Sequence, residues 1–171
     1  MSFRGDATFS NTKCRSSEGT SLYNAGTMTF YGKARFDDIT ASGNGGAVRN
    51  HLGSMTFRSD AQFNNNDASQ FGGGIAVEGG DVTFQKAVTF SGNTAYSGGA
   101  FAVLFGTYFE RGGVVIDSGF GSLTFEEPSQ VRFEGNTATK IEGDDSCTVG
   151  EVEEEATLIG FLGDDVCVAA T

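Results

Sequence analysis

Three side chains of this 171-residue chain could do acid–base chemistry together: Arg49, His51 and Glu78. An imidazole, a guanidinium and a carboxylate can move protons during the cleavage or epimerisation of a polysaccharide. His51 is the sole histidine, so no other part of the sequence offers a comparable trio. The alternative is an ordinary solvent-exposed strand surface. The sequence favours that alternative, because the positions expected beside Arg49 are occupied by Ala76 and Ala102.

A second candidate is the segment at about 104–121, which combines aromatic, charged and apolar side chains and interrupts an otherwise regular pattern. Insertions on a repeat scaffold often carry the binding function. We therefore predict a partner-docking surface made by Tyr108, Glu110, Arg111, Val114 and Ile116. The alternative is a strand-like excursion packed on the side of the scaffold.

The cysteines indicate a disulfide rather than a metal site. Cys147 and Cys167 flank an acidic segment, and a bond between them would stabilise the closed loop by about 3 kcal/mol. Such a bond would suit an extracellular or lumenal compartment. Cys14 aligns with alanines and is interpreted as a small buried residue. Because the sequence has no zinc motif, phosphate-binding loop or nucleophile elbow, we expect no metal, no cofactor and no catalytic residue. Binding of Ca²⁺ by the acidic segment stays open.

The secondary structure that would position these residues is predicted from a repeat in the sequence. Phenylalanines recur every 27 residues in two series: Phe3, Phe30, Phe57, Phe84 and Phe9, Phe36, Phe63, Phe90. A fixed period in the range of roughly 20–50 residues is typical of stacked repeats. An apolar residue and then a threonine precede each of Phe30, Phe57 and Phe84. Apolar and polar side chains therefore alternate there with the two-residue period of a strand. We therefore predict an all-β fold, a parallel β-helix (solenoid) of about three short strands per coil with the phenylalanines stacked inside.

Other aligned columns predict the corners of each coil. Asn66, Asn93 and Asn136 suit turns, because Asn accepts a left-handed backbone and its amide can bond the next coil. Paired glycines upstream would allow a positive φ at another corner.

The repeat stops after Ile141, which divides the chain into two predicted domains. Residues 1–139 would form the β-helix repeats, including the insertion, and residues 140–171 an acidic C-terminal cap. Phe3 already lies in register with the repeat. We therefore expect the chain to begin inside a coil and to be part of a longer precursor.

Composition excludes several classes of function. A formal net charge of −11 argues against nucleic acid and against anionic lipid as partners. No apolar run reaches the roughly 18–20 residues of a membrane span. The 26 glycines and 16 phenylalanines, with a single proline, suit short strands and tight turns rather than a helical bundle.

Two short motifs recur together in several copies: "GGAV" (45–48), "GGGI" (72–75), "GGAF" (98–101), "FNNN" (63–66), "FSGN" (90–93) and "FEGN" (133–136). This pairing resembles the GGA(I/L/V) and FxxN repeat of the chlamydial polymorphic outer membrane proteins, over roughly residues 19–140. The resemblance implies a right-handed parallel β-helix. It also implies a surface protein of the adhesin type.

From these observations we predict a non-enzymatic structural or interaction module, a rigid β-helix that mediates protein–protein or surface contact. It would be an accessory subunit of a larger assembly or an adhesin-like surface protein. Its partners would be other protein subunits or a cell-surface ligand. It would be extracellular, at the cell surface or in an organelle lumen.

Two alternatives remain. The first is a polysaccharide-active β-helix enzyme of the lyase or epimerase type, built on His51 and Glu78. The second is an ice- or mineral-binding surface, for which an outward threonine column is available: Thr29, Thr56, Thr83 and Thr124.

Overall fold

The computed structural model describes residues 1–15, 20–103, 108–110, 114–117, 121–127, 130–139 and 166–168. These residues form an all-β structure, a parallel β-solenoid, which confirms the fold predicted from the repeat. In chain order the strands are β1 (Ser2–Phe3), β2 (Ala7–Ser10), β3 (Lys13–Cys14), β4 (Leu22–Asn24), β5 (Thr27–Phe30), β6 (Ala34–Asp37), β7 (Thr40–Ala41), β8 (Val48–Phe57), β9 (Ala61–Asn64), β10 (Asp67–Phe71), β11 (Ile75–Phe84), β12 (Val88–Ser91), β13 (Thr94–Ser97), β14 (Phe101–Val103), β15 (Tyr108–Glu110), β16 (Val114–Asp117), β17 (Gly121–Phe125), β18 (Val131–Glu134), β19 (Thr137–Ala138) and β20 (Val166–Val168).

Within the described residues three sheets run along the solenoid, and their strands pair in parallel from coil to coil. One sheet has the order β19-β13-β10-β7-β3 and a second has the order β18-β12-β9-β6-β2. The third, which we call the long sheet, contains β1-β5-β8-β11-β17, with β4 beside β8 and β14 beside β11. Like residues therefore align across neighbouring coils, as in the register pairs Phe30–Phe57 and Phe57–Phe84.

The two phenylalanine series form two stacked ladders in the interior. Successive ring centroids lie 4.6 to 4.9 Å apart as far as Phe84 in one ladder and Phe90 in the other. The two ladders meet edge to face, for example Phe57 against Phe63 at 6.0 Å. Parallel stacking along the axis and edge-to-face contact across it are both favourable ring geometries. The ladders are thus the continuous core onto which each coil adds.

The corner after each second phenylalanine differs from the prediction. Left-handed backbone belongs to the residue before each predicted asparagine, with φ of 52° at Asn65 and 63° at Gly92. Asn66, Asn93 and Asn136 are buried instead. Their amides form a ladder, with Nδ2 to Oδ1 distances of 2.9 and 2.8 Å between successive members. The expected bonding to the next coil is therefore confirmed, and the expected left-handed conformation at these three residues is wrong.

The glycine corner agrees with the prediction. The first glycine of each pair has a positive φ, which is 69° at Gly45 and 65° at Gly72. A Cβ atom at Gly45 would lie 2.1 Å from the carbonyl oxygen of Val48. Both this lack of space and the positive φ therefore exclude a side chain at Gly45.

The described parts of the insertion form a hairpin on the long sheet. Strands β15 and β16 pair antiparallel, and β16 pairs antiparallel with β17. The backbone here is strand-like, and its role as a docking surface stays a prediction. Strand β20 pairs in parallel with β14. The remainder of the predicted cap, 140–165 and 169–171, lies outside the described residues.

Candidate functional site

The outer face of the long sheet brings the predicted trio together. Strands β4, β8 and β11 lie side by side, with Tyr23 opposite Arg49 and His51 opposite Glu78. Alternation along the strands directs these side chains away from the coil interior. Two more residues adjoin these four: Asn44, which precedes β8, and Leu52, which follows His51 in β8. We call the six residues the outer cluster: Tyr23, Asn44, Arg49, His51, Leu52 and Glu78.

The carboxylate of Glu78 lies at the centre of the outer cluster, and its side chain is only 7% exposed. Arg49 donates to Oε2 from Nε at 2.9 Å and from Nη2 at 2.7 Å. Asn44 donates from Nδ2 to Oε1. Burial of a carboxylate is tolerated only when its charge is paired and hydrogen bonded, which these contacts achieve. Since both oxygens are engaged, Glu78 holds the guanidinium in place rather than offering an open base.

His51 packs against the same carboxylate and exposes its far edge. Nδ1 lies 3.3 Å from Oε2 of Glu78, and it is buried without a hydrogen-bond partner among the described residues. The side chain as a whole is nevertheless 40% exposed. The exposed part is therefore the ring edge remote from Nδ1, which carries Nε2. This nitrogen can donate or accept one hydrogen bond, depending on the tautomer.

Tyr23 adds an exposed aromatic ring beside the charged pair. Its ring centroid is 6.2 Å from that of His51, with an angle of 25° between the planes. The Cζ atom of Arg49 lies 5.7 Å from the Tyr23 ring centroid, within cation–π range. Tyr23 is 49% exposed, so the ring is available to a ligand while its neighbours restrain it.

Leu52 is the strained member of the outer cluster. Its φ is 56°, a left-handed conformation that costs a non-glycine residue about 1–2 kcal/mol. It recovers little by burial, because it is 67% exposed. The equivalent position in the next coil holds Gly79, with φ of 84°. The left-handed bend is thus shared by the two coils, and the strain comes from having leucine rather than glycine at this position.

A second amide pair lies beneath the outer cluster. Asn24 donates to Oδ1 of Asn50 at 2.7 Å, and both side chains are buried. Asn50 donates in turn to the carbonyl oxygens of Gly53 and Gly79, at 2.9 and 3.2 Å. These bonds hold the chain on both sides of the bend at which Leu52 takes its left-handed conformation. Sequence reasoning missed this pair.

The sequence-based preference for a solvent-exposed strand surface is wrong at the centre of this face. Ala76 does lie in register with Arg49, and Ala102 lies one coil further, as expected. Both alanines are fully buried, and so is most of Glu78. The outer cluster is therefore a built polar site with an exposed aromatic and aliphatic rim.

The threonine column exists as a register feature. Thr29, Thr56, Thr83 and Thr124 lie opposite one another on successive strands of the long sheet. The outward column next to it holds Asp81, which accepts a hydrogen bond from Ser122 at 2.7 Å. A regular hydroxyl lattice is thus interrupted, and the column has the character of ordinary sheet surface.

The other predicted site residues fall in less completely described parts of the chain. Tyr108 and Glu110 belong to β15, and Val114 and Ile116 belong to β16. Arg111 lies outside the described residues, as does Cys147, whereas Cys167 belongs to β20. The docking surface and the disulfide remain predictions.

The stacked sheets and ladders define the class of protein as a parallel β-solenoid. Residues 87–103 match the Chlamydia polymorphic membrane protein repeat, so the chain carries a repeat of that type. The matched stretch contains one Phe-x-x-Asn motif and one Gly-Gly-Ala step. The match suggests a protein of the outer membrane or cell surface, and it names no activity. No curated protein and no solved structure shows a significant match to the chain.

Two further features of the described residues concern membranes and metals. In the described portion of the chain, no helix has the length and apolar character needed to cross a bilayer. Over the same portion, no three His, Cys, Asp or Glu side chains are grouped closely enough to hold a metal ion.

Proposed function

We propose that this chain is a non-enzymatic interaction module of a surface protein, a rigid β-solenoid that contacts other protein subunits or a cell-surface ligand. The match to the polymorphic membrane protein repeat supports the surface location. The single observation that carries the mechanical role is the continuous phenylalanine stacking from coil to coil. A surface that is ordered before its partner arrives loses little conformational entropy on binding.

Two forms of this function are an adhesin-like surface protein and an accessory subunit of a larger assembly. Both would place the chain outside the cell, at its surface or in an organelle lumen. The net charge of −11 favours a partner with a basic face. The hairpin of β15 and β16 is the proposed protein-docking surface, for which its position on the long sheet is the support.

Surface labelling of intact source cells tests the location. A membrane-impermeant amine reagent should label the chain before lysis, and labelling that appears only after lysis would contradict a surface position. The native mass of the gently isolated protein then separates the two forms. Stoichiometric association with other chains would favour the accessory subunit, and a lone chain or a longer parent would favour the adhesin-like protein.

The proposed disulfide has an independent test. Peptide mapping without reduction should recover a linked pair containing Cys147 and Cys167, as expected in an oxidising compartment. Free thiols at both positions in protein taken from its source would argue for a reducing compartment.

A polysaccharide-active enzyme is the second candidate, because one observation favours it. His51 lies against a carboxylate and exposes its far edge, as a general base oriented by an acid does. The buried, fully engaged Glu78 weighs against it. Incubation with a panel of polysaccharides decides the matter. Cleavage that His51→Ala abolishes would support the enzyme, and no cleavage by the unmodified chain would remove it.

A further inference from the structure

We propose that the outer cluster is a binding site for an uncharged sugar residue of a glycan. This deepens the contact function proposed above and rests on it, since it names the chemistry of one ligand that the solenoid would contact. The inference comes from the aromatic rim, from the paired charges, and from the exposed leucine at a left-handed bend where the next coil has Gly79.

The rim of the outer cluster offers a platform for the apolar face of a sugar ring. The rings of Tyr23 and His51 lie 6.2 Å apart and within 25° of parallel, and both are substantially exposed. Exposed rings of this kind provide a rigid, amphipathic surface at a low cost in side-chain entropy. The apolar C–H groups on one side of a pyranose ring match a surface of this kind, and its hydroxyl groups project from the edges.

The polar groups of the outer cluster suit hydroxyls rather than charges. Arg49 is paired with Glu78 at 2.7 Å, so these two side chains together carry no net charge. A net charge of −11 on the chain disfavours anionic ligands such as uronic or sialic acids. The exposed edge of His51 can exchange a hydrogen bond with a hydroxyl group beside the Tyr23 ring.

Leu52 extends the rim, and contact with a ligand would offset the cost of its strained backbone. It follows His51 directly and is 67% exposed in a left-handed conformation. The burial pattern of β8 shows that His51 and Leu52 both face outward, which breaks the alternation of the strand at this point. An apolar residue held outward beside an aromatic pair enlarges the contact area available to a ring.

A matched pair of tyrosines makes the proposal testable. Tyr31 is 46% exposed, and the Cζ atom of Arg58 lies 5.0 Å from its ring, much as Arg49 lies near Tyr23. Among the described residues, His51 makes a ring contact with Tyr23 and none with Tyr31. Tyr31→Ala therefore removes an equally exposed ring from an equivalent setting outside the outer cluster.

The experiment measures binding of the full chain to short neutral oligosaccharides of glucose, galactose, mannose and N-acetylglucosamine, and to acidic oligosaccharides as comparison. Titrations followed by NMR give the affinities of the unmodified chain, Tyr23→Ala, Tyr23→Phe and Tyr31→Ala. We expect a neutral sugar to bind, and Tyr23→Ala to weaken binding at least about tenfold. Tyr23→Phe and Tyr31→Ala should each stay within about threefold of the unmodified chain.

Three results would overturn the sugar site: binding of none of the neutral oligosaccharides, preferential binding of the acidic ones, or equal losses in Tyr23→Ala and Tyr31→Ala. Thermal unfolding of both variants controls for loss of fold. Attachment to intact surfaces, measured before and after enzymatic removal of glycans, separates this inference from the broader function. Attachment that persists without glycans leaves the contact function standing and overturns the sugar site, whereas no attachment in either state contradicts both.

Discussion

In the phenylalanine ladders one residue type recurs from coil to coil, whereas the outward column of the long sheet that contains Arg49 does not keep one residue type. The rings of Phe57 and Phe84 stack at 4.7 Å and are almost completely buried. The outward column at the other end of these strands runs, in register, through Tyr23, Arg49, Ala76 and Ala102.

The difference follows from what each position touches. An interior side chain packs against its own copy above and below, so a change of size is felt on both sides. An outward side chain is free of that constraint. At Arg49 and Glu78 the residue type is not kept from coil to coil, although both side chains are largely buried. Coil stacking therefore does not explain the choice of these two residues. The sugar contact that we propose would explain it.

The contrast between the interior and the outer face would fail most clearly if truncating an interior side chain had little effect on stability. Phe57→Ala should lower the free energy of unfolding by about 3–5 kcal/mol, because it leaves a cavity in the middle of a ladder. Chemical denaturation measures the change. Tyr31→Ala, an exposed ring, is the control and should cost less than about 0.5 kcal/mol. Similar losses in the two variants would contradict a stacked interior.

The charged centre of the outer cluster should show the next largest effect. Glu78→Gln keeps the shape of the side chain but removes the carboxylate charge that lies 2.7 Å from Arg49, at a cost of about 1.5–3 kcal/mol. The control is Glu127→Gln, which removes the partner of Lys86 at a more exposed position and should cost less than Glu78→Gln, because solvent screens the exposed pair. Equal costs would mean that burial does not distinguish the two ion pairs.

Leu52 provides a test in which a substitution should raise the stability of the protein, whereas the two substitutions above should lower it. Leu52→Gly relieves about 1–2 kcal/mol of left-handed strain and incurs about 0.5–1 kcal/mol of backbone entropy. We therefore expect stability to rise by up to about 1.5 kcal/mol. Gly80→Ala, in the next coil, should destabilise, because its Cβ would lie 2.0 Å from the carbonyl oxygen of Gly53. A loss of stability in Leu52→Gly would show that Leu52 is not strained.

The smallest effect concerns Lys86 on the solvent-exposed surface. A hydrogen bond to the Glu127 carboxylate, and then the charge of that group, raise the pKa of Lys86 above its ordinary value of 10.5. The stability that this pair contributes is therefore complete below the unfolded pKa and is lost as the pH rises through the folded pKa. NMR titration of the lysine side chain should show the pKa fall in Glu127→Gln, and an unchanged pKa would contradict the contact.

Much of the fold was predictable because its signal is periodic. Phenylalanines at a step of 27 residues can only stack if the coils have that length, and the register pairs have it. The corner at Asn66 shows the limit of this reasoning. Asn64, Asn65 and Asn66 are identical in type, so the sequence alone could not say which takes the left-handed backbone and which turns inward. Gly92, aligned with Asn65, was the available clue.

The candidate site was predictable only in part. His51 and Glu78 are one period apart, and the repeat placed them on neighbouring coils. Tyr23 lies opposite Arg49 at a separation of 26 residues, so a fixed period misaligns it. Asn44 reaches Glu78 from a corner, across a separation that the period does not describe.

The amino-acid sequence by itself determined the solenoid, its coil length and its phenylalanine interior, because identical side chains at a constant spacing have one efficient way to be buried together. Only the tertiary structure decided that Glu78 is buried and shared between Arg49 and Asn44, and that Leu52 faces outward under strain. Burial and side-chain grouping depend on how neighbouring coils bend and pack, and those contacts join residues whose spacing no repeat constrains.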